Sequence, residues 1–443
     1  MEFVLDLDYS DLEAETRSFA RRCLLDIVGV AAAGSTTELS RIIGDHAAAQ
    51  FGAGRAGASL WFDGRVVSPA GAALAGAMTI DSVDAHDGHK LTKGHVGCGV
   101  VPAALALIEA GAVDDAAELL TMLVIGYEIG TRAGIALHRT AADYHTSGAW
   151  VALACAALGA RTLGLSASAT REAIGIAEYH GPRSPMMRVI DHPTMLKDGS
   201  GWGAMAGVSA AYLAADGFTG APAGTLEAPD VADLWGDLGS RWRIFEQYFK
   251  PYPVCRWAQP AVEAALTLCR DHDLEADDID HLEIVTFHEA RRLATAAPVT
   301  TEQAQYSLPF AVAAAVARGR LGVDEVSDAA LADPEILRLS TTARITERAD
   351  FNASFPERRF AEVTIVGRDA TTVSSPATEA RGDPEAHLSQ GEIVHKFEGL
   401  AKPVLGDERT EAIRAAVDGL DDGADVARLR ALLTEPTSQR GSL

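Results

Sequence analysis

Between Asp81 and His95 the chain reads Asp81-Ser-Val-Asp84-Ala-His86-Asp87-Gly-His89-Lys90-Leu-Thr-Lys93-Gly94-His95, placing three carboxylates, three imidazoles and two ammonium groups in fifteen residues. Imidazoles titrate near neutrality and carboxylates orient or tune them, so a glycine-marked loop holding both is equipped for proton transfer beside an anionic group. His86 and His89 at i and i+3, with Asp84, Asp87 and His95 close in sequence, also form a possible cation-ligand set. Against that, the pattern is not a His-Glu-x-x-His motif, and Lys90 and Lys93 add positive charge beside any cation. A metal site, a metal-free acid/base or anion site, and a solvated polar loop are all open on these residues alone.

Four further segments break the pattern of their surroundings. Tyr144-His145-Thr146-Ser147-Gly148 precedes an apolar stretch, so His145 is expected near a helix N-terminus, where free amides attract anions and lower an imidazole pKa. Lys197 stands before the alternating glycines Gly199, Gly201 and Gly203, an arrangement that would present an ammonium and helix-start amides to one carboxylate. Lys250-Pro-Tyr252-Pro253-Val-Cys255-Arg256 combines rigid prolines with two cations at an inferred domain junction, which suits a substrate cleft. Cys255 has no adjacent His/Asp set and is expected as a buried thiol rather than a nucleophile. Gln305-Tyr306-Ser307-Leu-Pro309 opens a helix and would bring hydroxyl groups from across the cleft.

Helices must position most of these residues. Apolar residues recur at spacings of three and four over Leu12–Ala33, Thr36–Phe51, Pro69–Asp84, Val101–Gly111, Asp115–Arg132, Ser147–Leu163 and Ala167–Ala177. Several of these are apolar on most faces and belong inside a multi-helix core or a subunit interface. After Pro253 the texture changes: Asp280–Phe287 and Phe360–Gly367 alternate like strands, with Ser307–Arg318 and Val326–Leu331 helical between them. The tail, Glu392–Leu400 and Glu411–Leu433, returns to helix and is expected to pack on the first domain. Gly52-Ala-Gly54-Arg-Ala-Gly57 has the spacing of a dinucleotide fingerprint, but a helix precedes it and a short strand follows, so it reads as a turn into a small hairpin.

With 443 residues the chain can bury a large core, and the size prior favours two or three domains. A formal charge of -24 argues against a nucleic-acid partner, whose phosphates it would repel, without excluding a small anion held by local lysines. Five cysteines without a Cys-x-x-Cys pair suit a reducing cytoplasm. The first residues lack the basic-then-apolar pattern of a signal peptide, and no uninterrupted apolar run reaches the ~20 residues that span a bilayer.

Taken in order, Asp84-Ala-His-Asp87, Gly94-His95-Val-Gly97, Pro102-Ala, His145-Thr146, Lys197 with its glycines, Gly217-Phe-Thr-Gly220, Lys250 to Arg256, Tyr306-Ser-Leu-Pro309 and Lys396-Phe397 resemble the MmgE/PrpD family, which includes 2-methylcitrate dehydratases, cis-aconitate decarboxylases and iminodisuccinate epimerase. The resemblance covers nearly the whole chain. It implies a mainly α fold: a large all-helical domain over 1–261, a smaller α+β lid domain over 262–393, and C-terminal helices over 394–443 packing back on the helical domain. It further implies a cytoplasmic homodimer acting on a small-molecule polycarboxylate, with no cofactor, no metal, no nucleic acid and no membrane.

By match to the family's pattern, Asp84, His95, His145 and Lys197 are the catalytic candidates. His86, Asp87, His89, Lys250, Cys255, Arg256, Tyr306 and Ser307 are the candidate substrate contacts. The expected reaction is dehydration of a hydroxylated di- or tricarboxylate of 2-methylcitrate type. Epimerisation or decarboxylation alpha to a carboxylate, and a non-catalytic carboxylate-binding scaffold, are the alternatives. The chain departs from the family at His86, where aspartate or asparagine is frequent, at Gly88, near a usual threonine, at Cys255, where the decarboxylase branch carries a histidine, and at Gln259, where many members have a histidine.

Overall fold

Small side chains decide how closely the helices of the body approach one another. In the computed structural model, which describes residues 1–437, helix Ser200–Ala215 crosses helix Gly148–Thr162 so tightly that a Cβ on Gly207 would lie 2.1 Å from the Ala152 carbonyl oxygen. Around this pair run Ala14–Gly34, Pro69–Asp81, Gly97–Gly111, Ala116–Thr140 and Ala167–His180, all contributing to one apolar core. The long C-terminal helical segment Gln390–Asp418 adds Ile393, Phe397, Ala401, Ile413 and Val417 to the same core. Each such large side chain stabilises the docking by about 1.5–3 kcal/mol, which fixes the chain's last helices to its first ones. Gly406, at φ 76° and ψ 169°, breaks that segment into two helical runs, and Val426–Thr434 completes the tail.

The second core is built from later sequence. Strands Arg344–Glu347, Ile279–Thr286, Glu362–Gly367 and Thr372–Ser374 form a four-stranded sheet in that spatial order, the first pair parallel and the others antiparallel. Leu282, Ile284, Val363 and Ile365 share this core with helices Gln259–His272, Leu308–Arg318 and Pro334–Thr342, and Met186, Val189 and Ile190 reach over from the helical body to join them. The protein is thus a helical body completed by its C-terminal helices, carrying a smaller α+β unit.

Element ends moved where tertiary packing overrides local pattern. The helix expected over Pro69–Asp84 stops at Asp81, because Asp84 adopts a left-handed backbone, φ 49°. The helix expected from Val101 starts at Gly97 and carries Pro102 within its second turn, a position that costs few hydrogen bonds so near the start. The predicted hairpin after Gly57 is present as the antiparallel pair Ala58–Ser59 and Val66–Val67. Helix Ala116–Thr140 is long and apolar enough to cross a membrane, yet its apolar window is entirely buried inside the protein, with Glu128 and Arg132 paired at 3.2 Å.

Candidate active site

The loop leaving helix Pro69–Asp81 meets three other segments in the interior: His145–Gly148 with the start of helix Gly148–Thr162, the Lys197–Gly199 turn, and Tyr248–Pro253. His95 enters this centre with its backbone already held. Its N–H donates to Ser147 Oγ at 2.8 Å and its carbonyl accepts from Trp150 Nε1 at 3.0 Å. Its Nδ1 bonds the Asp87 carbonyl. A carbonyl only accepts, so Nδ1 carries the proton and Nε2 keeps its lone pair. Burial, with the nearby His86 and Lys250, pushes the His95 pKa well below the usual histidine range. His95 is therefore a neutral, oriented imidazole whose Nε2 is free to accept a proton.

His86 packs edge-on against His95, ring centroids 4.2 Å apart. Its Nε2 lies 3.0 Å from Asp81 Oδ1 and its Nδ1 3.3 Å from the Asp87 carbonyl. Asp81 is shifted below the usual carboxylate range: burial opposes ionisation, but the His86 bond and the charges of His86, Lys197 and Lys250 outweigh it. The Lys250 ammonium donates to Asp84 Oδ1 at 2.8 Å and to the Asp84 carbonyl at 2.9 Å. Burial acts against that ammonium, yet Asp84 beside it, with Tyr248 and Cys255, raises its pKa overall. Lys197 donates to Gln305 Oε1 and lies 4.8 Å over the Tyr306 ring. Burial lowers its pKa in spite of Asp84 and Asp81.

An ammonium has three donors. Lys197 spends one within the protein and Lys250 two, so both retain N–H groups for an anion. Asp84 and Lys197 each have φ 49°, a left-handed conformation that costs a non-glycine residue roughly 1–2 kcal/mol and persists only where the surroundings enforce it.

Asp198, beside Lys197, accepts from the Ser147 hydroxyl, the same group that accepts from the His95 amide. Burial and the charge of Asp81 push its pKa up to about 7. Asp87 is likewise pushed up to about 7 by burial and Asp26, while accepting from the Tyr127 hydroxyl. Asp81 Oδ2, Asp84 Oδ2 and Asp198 Oδ1 are buried with no partner among the described residues. Buried polar atoms are normally satisfied, so this concentration marks a place built for something else to bind.

Several expected contacts lie differently. His89 is held by Glu246 at 3.0 Å and accepts from the Leu91 amide, so its ring braces the loop. Arg256 is spent on Asp383 at 2.6 Å, Gln259 at 2.8 Å and the carbonyls of Ala380 and Arg381. Ser307 caps helix Leu308–Arg318, accepting from the Phe310 amide. Burial and Asp84 push the Cys255 thiol up to about 12, leaving no thiolate at neutral pH. His145 pairs through its backbone with Pro185, and burial with the charge of Arg183 lowers its pKa; its Nδ1 is buried and unbonded among the described residues, two residues from Ser147. Asp81, Ser147, Asp198 and Gln305 join the centre without having been candidates, although the segments holding them had drawn notice.

Asp84, His86 and His95 offer ligand atoms within 4.8 Å of one another. A cation there would lie beside the Lys250 ammonium, which holds Asp84 Oδ1, and would compete with the Asp81 carboxylate for His86, so the donor set is a poor fit for a resident metal. A cavity of about 720 Å³ opens between Gln390–Asp418 and residues 320–325, reaching Ala85, Pro251 and Lys396. Asp84, His95, Lys197 and Lys250 do not line it, so it lies behind the reactive centre.

The N-terminal domain of the MmgE/PrpD family matches residues 1–233 and its C-terminal domain residues 252–422. The chain belongs to the MmgE/PrpD family. Within this family it is similar to the cis-aconitate decarboxylase-like protein oryM of Aspergillus oryzae, 23% identical over 98% of this chain and 96% of the relative. It is also similar to the cis-aconitate decarboxylases of Homo sapiens, 24% identical over 94% of this chain and 90% of the relative, and of Mus musculus, 24% identical over 95% and 89%. Family and relatives together make this an MmgE/PrpD-type enzyme of the lyase and isomerase kind, acting on carboxylates. A side chain at position 88 has no room here: a Cβ on Gly88 would lie 2.5 Å from Tyr248 Oη and 2.7 Å from His95 Nδ1.

Proposed function

We propose that the protein is a hydro-lyase that dehydrates a hydroxylated di- or tricarboxylate of 2-methylcitrate type by metal-free acid/base elimination. The observation that carries this is a pair of titrating groups pushed apart by their environments: a neutral His95 and an Asp198 carboxyl near 7, joined through Ser147. Such separation assigns base and acid on one site. His95 Nε2 removes the proton alpha to a carboxylate. Lys197 and Lys250 bind that carboxylate and spread the developing enolate-like charge. Asp198, protonated through part of the population, gives its proton to the departing hydroxyl, and water leaves. Asp84 fixes Lys250, His86 packs on His95, and Tyr306 backs Lys197. His145 remains a candidate second acid or carboxylate contact at the edge of the centre.

Decarboxylation is the second reading, favoured by the activity of the relatives. It releases carbon dioxide and protonates carbon, so it uses an acid but leaves a neutral base such as His95 without a proton to remove. One experiment separates the readings: proton NMR of the enzyme with hydroxylated tricarboxylates, unsaturated tricarboxylates and amino dicarboxylates in D₂O. Dehydration yields alkene signals with all carboxylates retained. Loss of one carboxylate would replace this reading by decarboxylation, exchange of the alpha proton alone by epimerisation, and no change with any acid would leave a binding scaffold.

Helix Ser200–Ala215 has no charged residue, and its outward side shows Trp202, 43% exposed, and Leu213, 40% exposed, beside Leu196 and Phe218. A charge-free face can meet a copy of itself in an isologous contact without opposing like charges, whereas most of this acidic surface cannot. We read it as the homodimer contact. Sedimentation velocity at micromolar concentration is expected to show a dimer that Trp202→Asp converts to monomer; a monomeric wild-type protein would reject the assignment.

A further inference from the structure

The lid carries a buried cation that no sequence motif marks. Arg359 lies between helix Ala349–Ser354 and strand Glu362–Gly367 and is 3% exposed. Its Nη2 donates to the Lys90 carbonyl at 3.1 Å and the Tyr248 hydroxyl lies close to the guanidinium, while Nε and Nη1 are buried without an acceptor among the described residues. Asp383 acts on it through its charge, but its hydrogen bonds go to Arg256 at 2.6 Å and to Lys90 at 3.1 Å. The guanidinium sits 5.5 Å over the Tyr248 ring, and that ring stands 6.3 Å from His95 and nearly perpendicular to it.

A guanidinium presents two edges, each with two N–H groups, and Nη2 contributes one hydrogen to each. Whichever edge the Lys90 carbonyl occupies, the other still offers a complete pair of donors. A paired edge is the complement of a carboxylate, and buried donors left without an acceptor are costly unless a ligand supplies one.

We infer that Arg359 is a carboxylate-binding residue of this site, receiving a second carboxylate of the substrate while Lys197 and Lys250 hold the one beside the reacting carbon. The inference rests on the polycarboxylate reading above and deepens it: specificity for two or more carboxylates comes from the α+β unit, and reactive chemistry from the helical body. A monocarboxylate satisfies the two lysines and leaves Arg359 unmatched.

The test uses binding, so it does not depend on which reaction follows. Tricarballylate, a tricarboxylate without a hydroxyl to eliminate, and butyrate, a monocarboxylate, are titrated by calorimetry and NMR into wild type, Arg359→Gln and Arg359→Lys. Arg359→Gln is expected to weaken tricarballylate by about 10–100-fold, the usual worth of a charged hydrogen-bonded contact, and to leave butyrate unchanged. Arg359→Lys, which keeps the charge without the fork and guards against a folding defect in the glutamine variant, should recover part of the loss. Equal weakening of both ligands, or of neither, overturns the role of Arg359 while leaving the polycarboxylate reading in place. Failure of the wild-type protein to bind tricarballylate overturns both.

Discussion

His95→Gln is expected to lower turnover of the dehydrated substrate by about 10²–10⁴, the usual contribution of one positioned base. Glutamine can still donate to the Asp87 carbonyl in place of Nδ1, and the backbone bonds to Ser147 and Trp150 do not involve the side chain. What disappears is the Nε2 lone pair. Circular dichroism and sedimentation should therefore match wild type while steady-state kinetics do not. Lys197→Met is expected to act on the same step, because it removes the ammonium over Tyr306 that the proposed mechanism uses to spread the enolate-like charge. Turnover near the wild-type rate in both variants would reject the assignment of the centre.

The second large effect is on stability. Lys250 and Asp84 are each about 1% exposed and bonded at 2.8 Å. Removing one partner of a buried ion pair leaves an uncompensated charge and costs about 3–5 kcal/mol. Lys250→Met should show that loss in urea unfolding. Adding Asp84→Asn should restore most of it, since no unpaired charge then remains and asparagine tolerates the left-handed backbone at that position. Activity should stay lost in the double variant, because the anion-binding ammonium is gone. A single variant as stable as wild type would mean that Asp84 finds another partner, and the ion pair would no longer explain the strained loop.

Much of the architecture was legible in the chain. Helical spacing from Leu12 to Ala177 and the alternating strands near 280–287 and 360–367 are local signals, and the observed elements follow them. The ends were less legible. Helix Pro69–Asp81 stops early because Lys250, far along the chain, holds Asp84 in a left-handed turn, and no residue near Asp84 announces that bond.

Candidate site residues divide in the same way. Asp84, His86, His95, Lys197 and Lys250 stood out by type, and they converge. Arg256 and His89 stood out by type as well, yet Asp383 and Glu246 engage them. A single chain reading cannot tell a cation awaiting a ligand from one already paired, because the partner lies more than a hundred residues away in each case. Arg359 illustrates the opposite error: among many surface arginines of an acidic chain it looked ordinary.

The sequence by itself determined the mainly helical body, the α+β unit and the family, because periodicity and an ordered series of motifs are carried by neighbouring residues. It also supplied the acids, bases and lysines in one chain. Only the tertiary structure decided which of them remain available. Burial kept His95 neutral and raised Asp198, the Asp87 carbonyl selected the His95 tautomer, and Nε and Nη1 of Arg359 were left without an acceptor among the described residues. The reason is physical: protonation state and hydrogen-bond capacity depend on dielectric surroundings and on every neighbour in space, quantities that no local stretch of sequence contains.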